Sequence, residues 1–414
     1  MPLPRIIPAL ADLTQDIAGP LPVELLQNWA AGAQDATEAG RLLNGYRVEG
    51  TVVASDSSGL SRMTEERDLL DVLALVSEPK QIVHALGVAI GGRPVGVWVA
   101  DNTEMYYPSK IDPGLIVGAM AEAQARIALS VSLKIGMCVH SGEFYEVGGG
   151  LYGGDAEAVE YLAEQFAGPG DVLVTRAVTD RLGCADDSSF APRAELSVVY
   201  PPGVYTLARL RRMPDLRADD RQYPHPYPKE FFSLLSGLRQ AGDADQVRKR
   251  IYETYLRERV VVFVVRAHER AASHSLPALL DDLVNNALVE AIVRVERRAE
   301  DHVAGLGGGS AILTFDAPGE ALEFAQAVRD RFGENGVAVK IGIDRGPVLL
   351  FSNPHGPSGI AGDPVNIASK LSEDTGTGGK IRISTRACCQ MPALTNAEPF
   401  RVSVSRVVLT GVEV

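Results

Sequence analysis

The chain has 414 residues and a formal net charge of −13, which argues against general affinity for nucleic acid because phosphate backbones attract basic surfaces. No apolar run approaches the roughly 18 residues of a membrane-spanning helix, and the proline-bearing N-terminus does not resemble a secretory signal. The four cysteines include the adjacent Cys388 and Cys389 and predict neither a disulfide framework nor a zinc site. We therefore expect a cytoplasmic protein of two or three domains, without membrane insertion or nucleic-acid binding.

In chain order, residues 1–45 form the first predicted unit, a helical extension that contains LPVELLQNWAAG. Residues 46–208 follow, with β-branched strands such as GTVVASD (Gly50 to Asp56) alternating with helical stretches. Residues 209–257 are rich in proline and charge and predict a linker with one helix around FFSLLSGLRQ. Residues 258–414 return to strands and helices, among them EALEFAQAVRDRF (Glu320 to Phe332), whose apolar residues have helical spacing.

The two long segments repeat one another. LKIGMCVHSGEFYEVGGGLYGGDAEAVEYLAEQF begins at Leu133, and VKIGIDRGPVLLFSNPHGPSGIAGDPVNIASKLSED begins at Val339. Both are typical of a strand, a turn, a second strand, a glycine-rich loop and a helix. The repeat is domain-sized and much longer than a solenoid unit. The sequence therefore predicts a tandem duplication of an α+β domain, each half a ferredoxin-like (split βαβ) sandwich.

Several of these motifs resemble the catalytic domain of the class III nucleotidyl cyclases, the adenylate and guanylate cyclases. VVASDSSGLSRMT (Val52 to Thr64) resembles the first metal-binding signature of that family. GGSAILTFDAP, KIGIDRGPVLLF and GDPVNIASKL are similar to its hairpin, its central strand pair and the helix that follows. The similarity covers about residues 50–205 and 257–414. It implies two cyclase-type domains that form an intramolecular pseudo-dimer, so that a monomer suffices, and it leaves further oligomerisation open.

Members of that family convert a nucleoside triphosphate, ATP or GTP, to a 3′,5′-cyclic nucleotide plus pyrophosphate, using two Mg²⁺ or Mn²⁺ ions. Hard cations prefer oxygen ligands, and the resemblance assigns them to Asp56, Ser57 and Asp101 in the first half. It assigns the catalytic roles, orienting the ribose and stabilising phosphate charge, to Asn366 and Lys370, which share a helix face. The other substrate-binding residues that it implies are Ser58, Gly59, Leu60, Ser61, Gly359, Asp363, Arg401 and Arg406.

The duplicated halves divide these functional positions between them. At the two metal positions the second half has Arg266 and Gly309, and at the asparagine and basic positions the first half has Ala158 and Leu162. One composite site between the halves is therefore nearly complete, while the other has lost both sets of residues. We expect the second pocket to be either a vestige or a site for a regulatory ligand.

The chain also departs from the pattern of the family. Lys370 stands where the family has arginine, and a lysine lacks the bidentate fork of a guanidinium. Gly305 and Gly359 stand at or near the base-reading positions and carry no side chain to read a base. Thr410 stands where the family has a lysine that binds the triphosphate. Arg401 or Arg406, both nearby in the sequence, could take the place of that lysine. The resemblance therefore does not predict which base is used.

Each of these residues also has a purely structural interpretation. Asp101 lies in a common turn dipeptide, Asp56 and Asp363 are suited to capping helices, and Asn366 with Lys370 can form an ordinary solvated helix face. Three functions remain: a cyclase with one composite site, a weak or inactive pseudocyclase that binds a nucleotide and signals, and an interaction scaffold. The joint occurrence of these residues within the repeat favours the cyclase.

Overall fold

The computed structural model describes residues 21–57, 67–96, 98, 102–183, 189–197, 203–207, 213–225, 227–238, 244–267, 275–298, 302–307, 309–351, 359–391, 394, 397–404 and 407–414. Within these residues lie two mixed β-sheets, one in each half of the chain, with helices packed against their faces. None of the described helices is long and apolar enough to cross a membrane.

The first half is built on eight strands that pair in the order β2-β3-β1-β4-β6-β8-β7, with β5 folded back on β4. Strand β1 runs antiparallel to β3 and β4, whereas β4 runs parallel to β6. The strands are β1 (Arg47–Ser57), β2 (Arg93–Pro94), β3 (Thr103–Pro108), β4 (Ile135–Val147), β5 (Gly150–Tyr152), β6 (Val172–Thr175), β7 (Phe190–Pro192) and β8 (Val204–Leu207). The helices of this half are α3 (Leu69–Ala89), α4 (Pro113–Ser130), α5 (Gly154–Phe166) and α6 (Arg176–Leu182).

The second half repeats this order as β10-β11-β9-β12-β14-β16-β15, with β13 folded back on β12. Its strands are β9 (Leu256–Arg266), β10 (His302–Gly307), β11 (Ser310–Phe315), β12 (Val339–Phe351), β13 (Gly359–Ala361), β14 (Lys380–Ser384), β15 (Glu398–Val404) and β16 (Val407–Glu413). Its helices are α9 (Leu276–Glu296), α10 (Pro318–Glu334), α11 (Asp363–Ser372) and α12 (Thr385–Cys388). The predicted fold class is confirmed: the chain forms two similar mixed-sheet α+β domains.

The central strand pairs of the two sheets match residue for residue. The β1–β4 pair runs from Arg47↔Tyr145 to Ser57↔Ile135, and the β9–β12 pair runs from Leu256↔Leu349 to Arg266↔Val339. Because β1 and β9 have the same length, as do β4 and β12, each residue of one sheet has a partner position in the other. We call such residues register-equivalent.

Both faces of each sheet are covered, which explains the unbroken apolar runs that the sequence shows in β1 and β9. In β1, the residues from Gly50 to Ser55 are all buried. Val53 packs among the side chains of α3 and α4, whereas Val52 and Ala54 point to the opposite face and pack against α5, as the alternation along a strand requires. Helix α5 therefore packs on the first sheet, and its counterpart α11 packs in the same way on the second sheet.

Two helix pairs precede the two sheets. Helices α1 (Val23–Ala31) and α2 (Ala36–Leu43) precede β1, and α7 (Lys229–Gly237) and α8 (Ala244–Tyr255) precede β9. Trp29 of α1 donates its indole N–H to Asp281 of α9 at 2.8 Å, and the Tyr252 hydroxyl of α8 donates to Asp68, which caps α3. Each pair thus contacts the first long helix of the opposite half, and the predicted extension and linker contain equivalent helix pairs.

The β-hairpins β4–β5 and β12–β13 also connect the halves. Val147 of the first hairpin lies in an apolar cluster with Leu280 and Leu283 of α9. In the same way, Phe351 and Ala361 of the second hairpin lie in a cluster with residues of α3. The contacts between the halves are therefore reciprocal, because each hairpin packs on the other half's first long helix.

Candidate functional site

The metal ligands predicted in the first half lie at the end of β1. Asp56 is opposite Gly136 of β4, and Ser57, the last residue of the strand, is opposite Ile135. Both are half-buried. Asp101 and residues 58–61, which were predicted to bind metal and phosphate, lie outside the described residues. Among the described residues, no group of three or more His, Cys, Asp or Glu side chains is arranged to hold a metal ion.

Helix α11 carries the predicted catalytic residues of the second half. It begins directly after Gly362, whose φ is +154°, and a Cβ at Gly362 would lie 3.0 Å from the carbonyl oxygen of Pro347. A Cβ at Gly342 of β12 would lie 1.9 Å from the carbonyl oxygen of Ala368. These two glycines let α11 lie directly on the sheet, since a larger residue would push the helix away.

The side chain of Asn366 is buried on α11, and its Nδ2 has no hydrogen-bond partner among the described residues. An unpaired amide inside a protein costs free energy, so this group is available to a ligand. Lys370 lies one turn later with its side chain 13% exposed and its Nζ 3.4 Å from Asp374 Oδ2. The solvated helix face that was the alternative interpretation is therefore wrong for these two residues.

Asp363 does not cap α11 as its position suggested. It is the first residue inside the helix, and Gly362, which has no side chain to accept a hydrogen bond, occupies the N-cap position. The Asp363 carboxylate instead accepts a hydrogen bond of 2.7 Å from Arg386 Nη1. Arg386 also pairs with Asp344, a fully buried residue of β12 that in addition accepts from the Ser384 hydroxyl. Burial raises the pKa of Asp344, although the Arg386 charge opposes this. The network ties the first turn of α11 to β12 and was missed by sequence reasoning.

Arg401 is exposed on β15, an edge strand of the second sheet. Its neighbours Phe400 and Val402 pack against α11, so alternation along the strand directs Arg401 to the opposite face. The substrate-binding role of Arg401 stays a prediction, and its exposed position on an edge strand does not support it. Gly359 is buried in β13 opposite Phe351, and Arg406 lies outside the described residues.

A cavity of about 390 Å³ lies between the two halves. From the second half, Val265, Arg266 and Gly309 reach it, together with Asp282 and other residues of α9. From the first half it is lined by residues at the end of the β4–β5 hairpin and the start of α5. These residues are Tyr145, Tyr152, Gly153, Gly154 and Glu157. Arg266 Nη2 pairs with Asp282 Oδ1 at 2.7 Å, so the cavity holds a charged pair beside its apolar side chains.

Strand register corrects one of the position matches made from the sequence, and the buried faces of α5 and α11 correct two more. Ser57 and Arg266 end their strands at equivalent places, so Val265, and not Arg266, is the register-equivalent of Asp56. On the helices, the buried residues of α5 are Ala156, Val159 and Leu162, and those of α11 include Val365, Ala368 and Leu371.

This matching of buried faces places Glu157 at the position of Asn366 and Tyr161 at that of Lys370, in place of Ala158 and Leu162. The sequence contained the necessary signal, since the apolar spacing of α5 already separates its buried residues from Glu157.

No protein-family model matches the sequence, and no curated protein matches it. Solved structures of class III cyclases and related proteins do match. A class III adenylyl cyclase-like ATP-binding protein from Pseudomonas aeruginosa is 12% identical, with a TM-score of 0.47, and the match covers 84% of this chain and 85% of that one. The guanylate cyclase domain of RhGC from Catenaria anguillulae is 20% identical with a TM-score of 0.31, over 38% of this chain and 96% of that one.

The adenylyl cyclase CyaB from Pseudomonas aeruginosa also matches, at 13% identity and a TM-score of 0.34, over 43% of this chain and 97% of that one. These matches include adenylyl and guanylate cyclases, the proteins that the motifs resemble. At such identities the likeness is one of fold, and it does not extend to activity, substrate or metal.

Proposed function

We propose that the chain is a nucleotidyl cyclase that converts a nucleoside triphosphate to a 3′,5′-cyclic nucleotide plus pyrophosphate at one composite site between its halves. In this proposal the halves act as an intramolecular pseudo-dimer. The first half contributes Asp56, Ser57 and Asp101, and the second contributes Asn366 and Lys370.

Strand register supports this pairing. The 390 Å³ cavity brings Val265 and Arg266 of one half to the same space as Glu157 of the other. Asp56 and Ser57 are the register-equivalents of Val265 and Arg266, and Asn366 is the residue at the position of Glu157 on the matching helix. Because the two hairpins pack reciprocally, a second cavity related to the first would bring Asp56, Ser57 and Asn366 together. The lost and the retained functional residues would then occupy corresponding places in the two cavities.

The observation that carries the proposal is the buried Nδ2 of Asn366, which has no hydrogen-bond partner in the described part of the chain. Unpaired donors of this kind are rare in folded proteins unless a ligand or water satisfies them. A ribose oxygen is a suitable acceptor, and its contact with Asn366 would orient the 3′-oxygen towards the α-phosphorus. Lys370 would stabilise the charge that develops on the phosphate.

The residues present fit a divalent cation, because Asp56 supplies a half-buried carboxylate at a strand end and Asp101 would supply a second oxygen ligand. Mg²⁺ or Mn²⁺ held there would activate the attacking oxygen and neutralise the triphosphate. The chain's own contribution is to position the nucleotide, to keep Asn366 directed at the ribose, and to hold Lys370 beside the phosphates.

The proposal is tested by product analysis. The purified chain is incubated separately with ATP, GTP, CTP and UTP in the presence of Mg²⁺ or Mn²⁺, beside the Asp101→Asn variant, and the products are identified by mass spectrometry. We expect a cyclic nucleotide from at least one substrate and none from the variant. A chain that binds nucleotide but forms no product would overturn the proposal in favour of a pseudocyclase.

Asn366→Ala is expected to lower kcat by about 10²-fold with little change in nucleotide affinity, because its contact strengthens in the transition state. The matched control is Glu157→Ala at the equivalent position on α5, which should leave kcat unchanged. Steady-state kinetics and equilibrium binding separate the two effects. Equal losses in both variants would show that Asn366 has no special role.

Lys370→Arg is expected to raise the turnover several-fold, because a guanidinium binds phosphate oxygens in a bidentate manner that a lysine cannot achieve. The measurement is the initial rate of cyclic nucleotide formation at saturating substrate. An unchanged rate in both Lys370→Arg and Lys370→Ala would place this residue outside the site.

A further inference from the structure

A second cavity, which we call the acidic cavity, lies within the first half beneath α5. Its volume is about 210 Å³. Its floor is formed by the ends of β1 and β3, where the hydroxyls of Ser55 and Thr103 share a hydrogen bond of 2.6 Å. The remaining lining residues are Ala54, Asn102, Glu104, Glu160, Ala163 and Glu164.

In the second half, large apolar side chains occupy the corresponding place, as the strand register shows. Ala54 pairs with Glu104 in the first sheet, and the register-equivalent pair in the second sheet is Phe263 with Ile312. Phe263 and Ile312 are buried in an apolar cluster with residues of α11. The first half thus replaces a large apolar pair by a methyl group and a carboxylate, which leaves the space open and makes it polar.

Glu104 is the most unusual group in the acidic cavity. It is only 3% exposed, and its Oε1 has no hydrogen-bond partner among the described residues. Gly96 provides room for the carboxylate, since a Cβ there would lie 1.9 Å from Glu104 Oε2. A buried carboxylate without a partner is costly, and natural proteins usually satisfy such groups.

The surrounding charge indicates what would satisfy Glu104. Glu160 and Glu164 are exposed on α5 at the mouth of the cavity, and Asn102 Nδ2 lies 3.5 Å from Glu164 Oε1. The described lining therefore holds three carboxylates and no basic side chain. The carboxylates are not arranged around a common point as metal ligands would be, and the volume is much larger than one metal ion needs.

We propose that the acidic cavity binds a small organic cation, a protonated primary alkylamine, whose ammonium group is held by Glu104 and whose alkyl part fills the space occupied by Phe263 in the second half. An ammonium group has three N–H donors. Glu104 Oε1, a floor hydroxyl and a carboxylate at the mouth can each accept one of these hydrogen bonds. The site adjoins the proposed metal ligands, since Ser55 and Asn102 are the chain neighbours of Asp56 and Asp101, but amine binding there does not depend on cyclase activity.

Binding at this site is linked to a proton. Burial, together with repulsion from Glu160, raises the pKa of Glu104 to about 8, so its carboxyl group carries a proton at pH 7 in the empty cavity. An ammonium ion favours the ionised carboxylate, and the proton is therefore released on binding. The affinity should increase as the pH rises from 6 towards 9. Glu160 also ionises in this range, because desolvation in the cavity wall and repulsion from Glu164 and Glu157 raise its pKa to about 7, and its negative charge then adds to the attraction for the amine.

The test uses the full chain and isothermal titration calorimetry with n-butylamine, and with n-butanol as a neutral probe of the same shape. We expect n-butylamine to bind with proton release, measured in buffers of different ionisation enthalpy, and n-butanol not to bind. Glu104→Gln should weaken amine binding at least about tenfold, as expected for loss of a charged hydrogen bond.

Two further variants keep the result interpretable. Ala54→Phe and Glu104→Ile each introduce the residue that the second half has at the equivalent position, and either should abolish binding while the fold is retained by circular dichroism. Glu157→Gln, an acidic residue of the same helix that faces the other cavity, is the matched control and should bind the amine normally. The proposal is overturned if the unmodified chain does not bind n-butylamine, or if binding survives in Glu104→Gln and Ala54→Phe.

Discussion

Asp56→Asn is expected to reduce cyclic nucleotide formation by at least about 10³-fold, because an amide is a neutral and weaker ligand for the divalent cation that activates the attacking oxygen. The fold should be unaffected, since Asp56 is half-buried at the end of β1 and asparagine has nearly the same shape. The measurement is the rate of product formation at saturating nucleoside triphosphate over a range of Mn²⁺ concentrations.

The matched control for this variant is Asp282→Asn, which changes a carboxylate that lines the other cavity between the halves. We expect the control to retain full activity. If high Mn²⁺ partly restores the Asp56→Asn rate, the loss is one of metal affinity, as the proposed role requires. Full activity of Asp56→Asn at low Mn²⁺ would contradict the metal assignment.

Arg386→Ala is expected to lower the free energy of unfolding by about 2 kcal/mol, less than the about 3–5 kcal/mol for a fully buried ion pair, because the Arg386 side chain is 47% exposed and solvent screens its charge. The reason is Asp344, which is completely buried and would lose its only described charged partner. The loss should also loosen the first turn of α11, because Asp363 is held by the same guanidinium. Urea denaturation followed by circular dichroism measures the change.

Arg345→Ala is the control for Arg386→Ala. Arg345 is the next residue after Asp344, and its ion pair with Glu258 spans 3.4 Å at the surface, where such pairs contribute at most about 1 kcal/mol. The Arg386→Ala variant should also recover stability as the pH falls. Burial already raises the pKa of Asp344, so stability is present below its unfolded pKa and is lost as the pH rises through the higher folded value. Equal stability of both variants would contradict this account.

Much of the fold could be predicted from the sequence because its signals are local. The β-branched runs predict strands β1 and β9 directly. The glycine before Asp363 likewise indicates where helix α11 begins. Helix α8 was harder to predict from the sequence, because the proline and charge content of the preceding segment favoured a linker. Its role became clear only through Tyr252, which contacts Asp68 far away in the chain.

The candidate site could be predicted only in part. Asn366 and Lys370 share a helix face by spacing alone, but their burial depends on how α11 packs on β12. For Arg401, sequence proximity to a motif did not indicate which face of an edge strand its side chain occupies. The pairing of Asp344 with Arg386 joins strand β12 to helix α12, which are distant in the sequence, so no local pattern predicts it.

The sequence by itself determined that the chain is duplicated, that each half is an α+β domain with motifs that resemble those of class III cyclases, and that the acidic and the asparagine-bearing motifs lie in different halves. These properties follow from local spacing and from similarity between two segments of one chain. Only the tertiary structure decided that Glu157 corresponds to Asn366, that Arg401 faces away from α11, and that Ala54 and Glu104 open a cavity where Phe263 and Ile312 close one. Strand register and packing set these relations, because they depend on contacts between residues that are distant in the sequence.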